Sequence, residues 1–229
     1  MKYEGLLLDI DNTLYNYDTA HKKALEKLVL MTHDDTSKDV TVIKMAYLNA
    51  RAQIHAELSE TASSHNRLLY IQRMLELLNI NSMNLSLKLY NMYWDTFLDS
   101  IELYEDVIQF LEEHKHEKIC LLTDLTAHIQ HRKIEQLGLY HYADYVVTSE
   151  EAGKEKPHPY MFMLALQKMN MKAEEVCMIG DSYKKDILGA SQLGIQSFWL
   201  NKENKIEKYT NKLIIECKDF KELQGYISE

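Results

Sequence analysis

The chain has 229 residues, 46% of them hydrophobic and 27% charged, with a net charge of −9 at pH 7. That length allows one or two domains with a full apolar core, and the acidic balance offers a nucleic-acid backbone little to bind. No apolar run approaches the roughly 20 residues of a membrane span, and the N-terminus lacks a charged-then-apolar leader, so a cytoplasmic protein without membrane or nucleic-acid partners is expected.

The first element is the apolar run Gly5 to Ile10, which has no alternation, as in a parallel strand covered on both faces. It leads into LLLDIDNTLYNYD, where Asp9 and Asp11 stand two positions apart. Two carboxylates at the lip of a low-dielectric sheet repel each other unless a cation sits beside them or one keeps its proton. From Asp18 to Ile101 no strand is evident, and four stretches read as amphipathic helices: Ala20 to Met31, Val40 to Leu58, Asn66 to Leu78 and Leu85 to Leu98. Thereafter strands are expected at Lys118 to Thr123, Tyr145 to Thr148, Val176 to Ile179, Ser197 to Leu200 and Leu213 to Glu216. Helical patterns lie among them at Asp106 to His114, Ala127 to Leu139, Pro159 to Met169 and Lys184 to Gly194, with Gly138 and Gly194 placed as C-caps. The alternation predicts an α/β fold, a Rossmann-like parallel sheet core built from residues 1–17 and 102–229. An all-helical cap, residues 18–101, is inserted after the first strand. It is expected to lie over the carboxyl end of that strand, where open α/β sheets place their ligands.

The strand ends carry polar residues in a consistent way. KICLLTDLT ends at Thr123 and Asp124, EAGKEKPHP supplies Lys154 and Lys156, and VCMIGDSYKKD supplies Asp181 and Asp186. With Asp9 and Asp11 this makes four carboxylates on one rim, a cluster that calls for a cation. Ligation by oxygen without histidine or cysteine selects a hard ion, Mg²⁺ before Ca²⁺ or Zn²⁺. Thr123 and Lys156 suit phosphate oxygens. Cys120, Cys177 and Cys217 are odd in number and lack CxxC spacing, which predicts reduced core thiols.

On these motifs the chain resembles the haloacid dehalogenase-like hydrolases, specifically phosphatases with a helical cap after the first motif. The resemblance implies that Asp9 is a nucleophile forming an aspartyl-phosphate, and that Asp11 is the general acid and base. It makes Thr123 and Lys156 the ligands of the transferring phosphoryl group. It places Mg²⁺ on Asp9, Asp181 and the backbone carbonyl of Asp11, with Asp186 acting one shell out. Thr13 would fix the loop around Asp11. The implied substrate is a small phosphate ester, a sugar phosphate or nucleoside monophosphate. A phosphomutase, a metal-independent haloacid dehalogenase and a non-catalytic binding protein are the alternatives. Asp124 departs from the Asn or Gly common after the second motif, and an acid there repels phosphate unless it faces away or pairs with a lysine.

In the cap, Asn16, Tyr17, His55, His65, Asn66 and Arg67 are candidates to face the substrate, with Arg67 foremost because a guanidinium can grip an anionic or hydroxyl-rich group. The same SSHNR stretch also reads as a helix start whose polar residues face solvent. The pairs His114/His116 and His128/His131 are expected on solvated helix surfaces.

Overall fold

The computed structural model describes residues 3–202 and 204–227, which divide into two compact units, Met1–Asn16 with Glu102–Glu229 and Tyr17–Ile101. The first unit is built on six parallel strands: β1 (Gly5–Leu8), β2 (Lys118–Thr123), β3 (Tyr145–Thr148), β4 (Val176–Gly180), β5 (Gln196–Leu200) and β6 (Ile214–Cys217). Their order across the sheet is β3-β2-β1-β4-β5-β6, so the chain winds outward in both directions from β1. Leu8 pairs with Leu121 on one side and Ile179 on the other. The carboxyl end of β1 thus lies at the point where the winding reverses, the usual seat of a ligand in such sheets.

β1 stops at Leu8, two residues short of the expected Ile10, because the chain turns as soon as the acids begin. The helices of this unit are α5 (Glu105–Glu113), α6 (Ala127–Gln136), α7 (Ser149–Ala152), α8 (Pro159–Met169), α9 (Gly189–Ser191) and α10 (Phe220–Ile227). Met161, Phe162, Ala165 and Met169 of α8 pack on Leu7, Leu122 and Met178 of the sheet, all fully buried. Gly138 and Gly194 both take positive φ, as C-caps require. The continuous helix expected over Lys184 to Gly194 is instead a π-helical turn, Tyr183–Leu188, followed by the single turn of α9. The Ile187 N–H donates to Ser182 O at 3.3 Å, five residues back, which marks the widened turn.

His114 overturns the expectation of a solvated surface. It is 1% exposed, with Nδ1 on Glu117 at 2.5 Å and Nε2 on Gln224 at 2.8 Å. Val107, Phe110 and Leu111 of α5 are buried, and His114 continues that stripe at the next turn. His116, His128 and His131 are exposed as expected.

The second unit consists of α1 (Tyr17–Thr36), α2 (Val40–Glu57), α3 (Arg67–Leu77) and α4 (Ser82–Leu98), with a 3₁₀ turn at Ala62–His65. Asp39, Asn66 and Asn81 cap α2, α3 and α4, each carboxylate or amide oxygen accepting a backbone N–H from the first helical turn. The expected helix starts at Ala20 and Leu85 lie inside α1 and α4, which begin three residues earlier. The core of this unit is aromatic, with Tyr47, Tyr70, Tyr93, Trp94 and Phe97 at most 1% exposed.

Candidate active site

The loop after β1 is shaped by its own side chains. The Asp9 N–H donates to Ile179 O at 3.0 Å, carrying the ladder one residue past β1. Asn12 then takes a φ of 64°, a left-handed conformation that asparagine tolerates, and the Leu14 N–H returns to Ile10 O at 3.0 Å. Thr13 locks the turn to the neighbouring loop. Its hydroxyl donates to Asp9 Oδ2 at 2.7 Å and accepts the Asp181 N–H at 3.1 Å.

Lys156, at the foot of α8, is the electrostatic hub. Its buried ammonium donates to Asp9 Oδ1 at 2.7 Å, Asp186 Oδ1 at 2.6 Å and Leu122 O at 2.9 Å, which uses all three N–H groups. Asp186 accepts the Ser182 N–H on its other oxygen at 3.0 Å. It fits because residue 180 is glycine: a Cβ there would lie 2.5 Å from Asp186 Oδ2. The Trp199 indole donates to Asp181 O at 2.9 Å and fixes the end of β4.

One buried lysine does not balance three acids, and the lysines that add positive charge near Asp181, Lys202 and Lys205, are exposed. Carboxylate oxygens of Asp9, Asp181 and Asp186 lie within 4.8 Å of one another. Burial, with Asp186 adding to it against the pull of Lys156, pushes the Asp9 carboxyl up to about 7. Burial and the charge of Asp9 push Asp181 up to about 7 as well. An excess of buried carboxylate over cation, with oxygen donors only, fits a hard divalent ion.

This has a measurable consequence. Both groups hold protons in the fold that the unfolded chain has already lost, so between about pH 4 and pH 7 unfolding releases protons and stability falls as pH rises. Thermal unfolding of chelator-treated protein should drop by several degrees between about pH 5 and pH 8. Millimolar Mg²⁺ should restore it at the upper pH and do little at the lower. A shift with Mg²⁺ that is equal at both would contradict a cation site among these acids.

The remaining motif residues are held by partners that the motifs did not announce. Asp11 accepts from the ammonium of Lys133 on both oxygens, at 2.7 Å each, and from the Tyr15 hydroxyl. Burial alone would raise its pKa, but Lys133, Tyr15 and Gln130 together hold it below the usual carboxylate range. Thr123 Oγ1 accepts from Gln130 Nε2 at 2.8 Å. Asp124 pairs with Lys185 at 2.8 Å and accepts the Lys156 N–H at 3.0 Å, which disposes of the repulsion it posed. Lys133 and Gln130 were missed because they look like surface residues of a charged helix. Both are fully buried, in phase with Ile129 and Ile134 on the inner face of α6.

Within the helical unit, Arg67 is 7% exposed, so the solvent-facing reading of SSHNR fails for this residue. Nη1 donates to His65 O at 2.6 Å and Nη2 to the Tyr17 hydroxyl. The guanidinium lies 5.2 Å from the ring centre of Tyr70, 5.8 Å from Trp94 and 6.0 Å from Tyr93. Its Nε has no partner among the described residues. His55 lies against His65 and bonds Tyr70, while Asn66 is spent as the α3 cap.

Residues 3–194 match the family model of the haloacid dehalogenase-like hydrolases. The chain belongs to that superfamily. It is 36% identical over 200 residues to the ribulose-1,5-bisphosphate 5-phosphatase of Halopiger xanaduensis, covering 84% of this chain and 82% of that one. Among solved structures, a 2-haloacid dehalogenase from Pseudomonas syringae aligns with a TM-score of 0.77 at 20% identity, over 99% of this chain and 98% of that one. The magnesium-bound haloacid dehalogenase-type hydrolase YfnB of Bacillus subtilis aligns with a TM-score of 0.74 at 20% identity over the whole of both chains. At that identity the two structures speak for the fold, which dehalogenases and phosphatases share. The family match and the phosphatase relative identify this haloacid dehalogenase-like chain as an enzyme, a phosphoric monoester hydrolase.

Proposed function

We propose that this enzyme removes the phosphoryl group from a small phosphorylated sugar, with Mg²⁺, through an aspartyl-phosphate on Asp9. The observation that carries the reading is the Lys156 ammonium shared by Asp9 and Asp186, with Asp181 close enough to complete a cation site. An anionic nucleophile can approach an anionic phosphate only where such positive charge is fixed in advance. An oxygen of Asp9 attacks phosphorus while the bond to the leaving oxygen breaks, and Asp11, which must first take up a proton against the hold of Lys133, gives it to that oxygen. Water then attacks phosphorus, passes a proton to Asp11, and frees Asp9 and inorganic phosphate. The cation, held by Asp9, Asp181 and the Asp11 carbonyl with Asp186 behind them, would neutralise charge on the phosphoryl oxygens. Lys156 offsets the charge of those oxygens, and Thr123, whose hydroxyl accepts from Gln130 and donates to Asp124 O at 3.3 Å, would turn that O–H to them. The presence of Asp11 and Asp181 favours hydrolysis at phosphorus over dehalogenation, which attacks carbon, needs no metal and does without the second aspartate.

The helical unit, residues 18–101 in the sequence reading, acts as the substrate-selecting cap, and Arg67 as its anion-recognising residue. A buried guanidinium whose side-chain and backbone partners are neutral suits a second anionic group on the substrate, and the Halopiger relative acts on a sugar bisphosphate. The three free, buried thiols suit a reducing cytoplasm, and no helix among the described residues is long and apolar enough to cross a membrane.

The test is release of inorganic phosphate from a panel of phosphate esters with Mg²⁺ or chelator. Mg²⁺-dependent release is expected, with sugar bisphosphates ahead of nucleoside monophosphates. Arg67→Met should lower kcat/KM on a sugar bisphosphate about tenfold or more beyond any loss on para-nitrophenyl phosphate. Equal losses on both would refute selection by Arg67. Release from no ester, or an isomeric sugar phosphate as product, would refute the hydrolase reading.

A further inference from the structure

Lys133 is an expensive residue for its position. Its ammonium is 0% exposed, on a helix face whose neighbours in phase are Ile129 and Ile134, where an apolar side chain would satisfy the packing. Burying an ammonium costs several kcal/mol, and a pair with a carboxylate repays this only with near-ideal geometry. That geometry is present. Both Asp11 oxygens lie 2.7 Å from Nζ, while the Asp11 side chain stays 28% exposed at the mouth of the site. The Tyr15 hydroxyl, four residues along the same loop, donates to Oδ1, and the Asp11–Tyr15 backbone bridge closes the turn beneath. Among the described residues the charged and titratable groups that act on Asp11 include Lys133 and Tyr15, and Asp11 in turn acts on Asp181.

We propose that Lys133 is a positioning residue for the acid–base chemistry, docking the Asp11 carboxylate where it receives a proton from the water that cleaves the aspartyl-phosphate. In that step the water oxygen bonds to phosphorus, the bond from phosphorus to Asp9 breaks, and the water proton passes to Asp11. Lys133 supplies no proton and touches no reacting atom. Its effect is to keep one carboxylate orientation from being lost to rotation about the Asp11 side chain. The inference rests on the acid–base role proposed for Asp11.

Lys133→Met with para-nitrophenyl phosphate provides the test. Nitrophenolate leaves without needing a proton, so the first chemical step depends less on Asp11 than the second. Rapid-mixing experiments should show a burst of nitrophenolate followed by a steady rate roughly 10²-fold below wild type, with phosphoenzyme accumulating. Lys133→Arg, whose guanidinium can hold both oxygens, should recover a large part of that rate. In an Asp11→Asn background, Lys133→Met should add no further loss. A Lys133→Met steady rate at the wild-type level, a loss of the same size in the Asp11→Asn background, or arginine no better than methionine would each overturn the proposal. If Lys133→Met does not fold, the double variant, which removes both charges, is read against Asp11→Asn alone. Wild-type turnover in Asp11→Asn would instead remove the acid–base reading itself.

Discussion

Replacing Asp9 with asparagine should cut Mg²⁺-dependent turnover by roughly 10⁴-fold or more while the protein keeps or gains thermal stability. The amide has no oxygen that can displace an alkoxide from phosphorus, and the covalent route is lost. Stability moves the other way because the wild-type carboxylate is poorly accommodated. It is desolvated and faces Asp186, which together keep its proton until about pH 7. The asparagine carbonyl can still accept from Lys156 or Thr13, and the repulsion disappears. Phosphate release and thermal unfolding, measured on one preparation at a pH near 8, check both halves. Retained turnover would remove Asp9 as nucleophile. A collapse of stability would show that its charge is structurally required.

Lys156→Met is expected to damage both properties. Methionine matches the apolar stem of the lysine but leaves Asp9 and Asp186 buried without their shared cation, and Leu122 O without its donor. Breaking a buried pair from one side costs about 3–5 kcal/mol, which for a chain of this size is roughly 10 °C of melting temperature. Turnover should fall below detection, since the same ammonium holds the proposed nucleophile and supplies the positive charge beside it. Mg²⁺ should recover part of the stability, because a divalent ion among the acids relieves the same excess charge. A metal-free Lys156→Met protein as stable as wild type would show that the acids ride protonated and that the lysine is not the hub.

The α/β alternation and the polar residues at the strand ends were legible because each rests on a short-range rule. An apolar run without alternation is a buried strand, and the first polar residue after it marks the rim. What escaped the reading shares one form. His114 follows Val107, Phe110 and Leu111; Lys133 follows Ile129 and accompanies Ile134; Arg67 precedes Tyr70, Ile71 and Met74. Each is a polar residue at helical spacing from a buried apolar stripe. Composition alone counts such residues as surface, whereas phase puts them inside. The wide turn at Tyr183–Leu188 was illegible for another reason: it follows from seating the Asp186 carboxylate against Gly180, a contact that helical periodicity does not encode. Asp124 could be judged only once Lys185 was placed beside it, because the two are far apart in the sequence.

The Tyr104 N–H donates to Leu14 O at 3.0 Å, so the chain leaves the sheet unit and comes back to it at neighbouring points. A segment whose two ends are stitched together in this way is a replaceable cassette. It can gain or lose turns, or be rewritten, while every strand keeps its register and Asp9 its seat. On the selecting role proposed for the helical unit, change in what the enzyme accepts can therefore accumulate between these two residues while Asp9 and the strands stay in place.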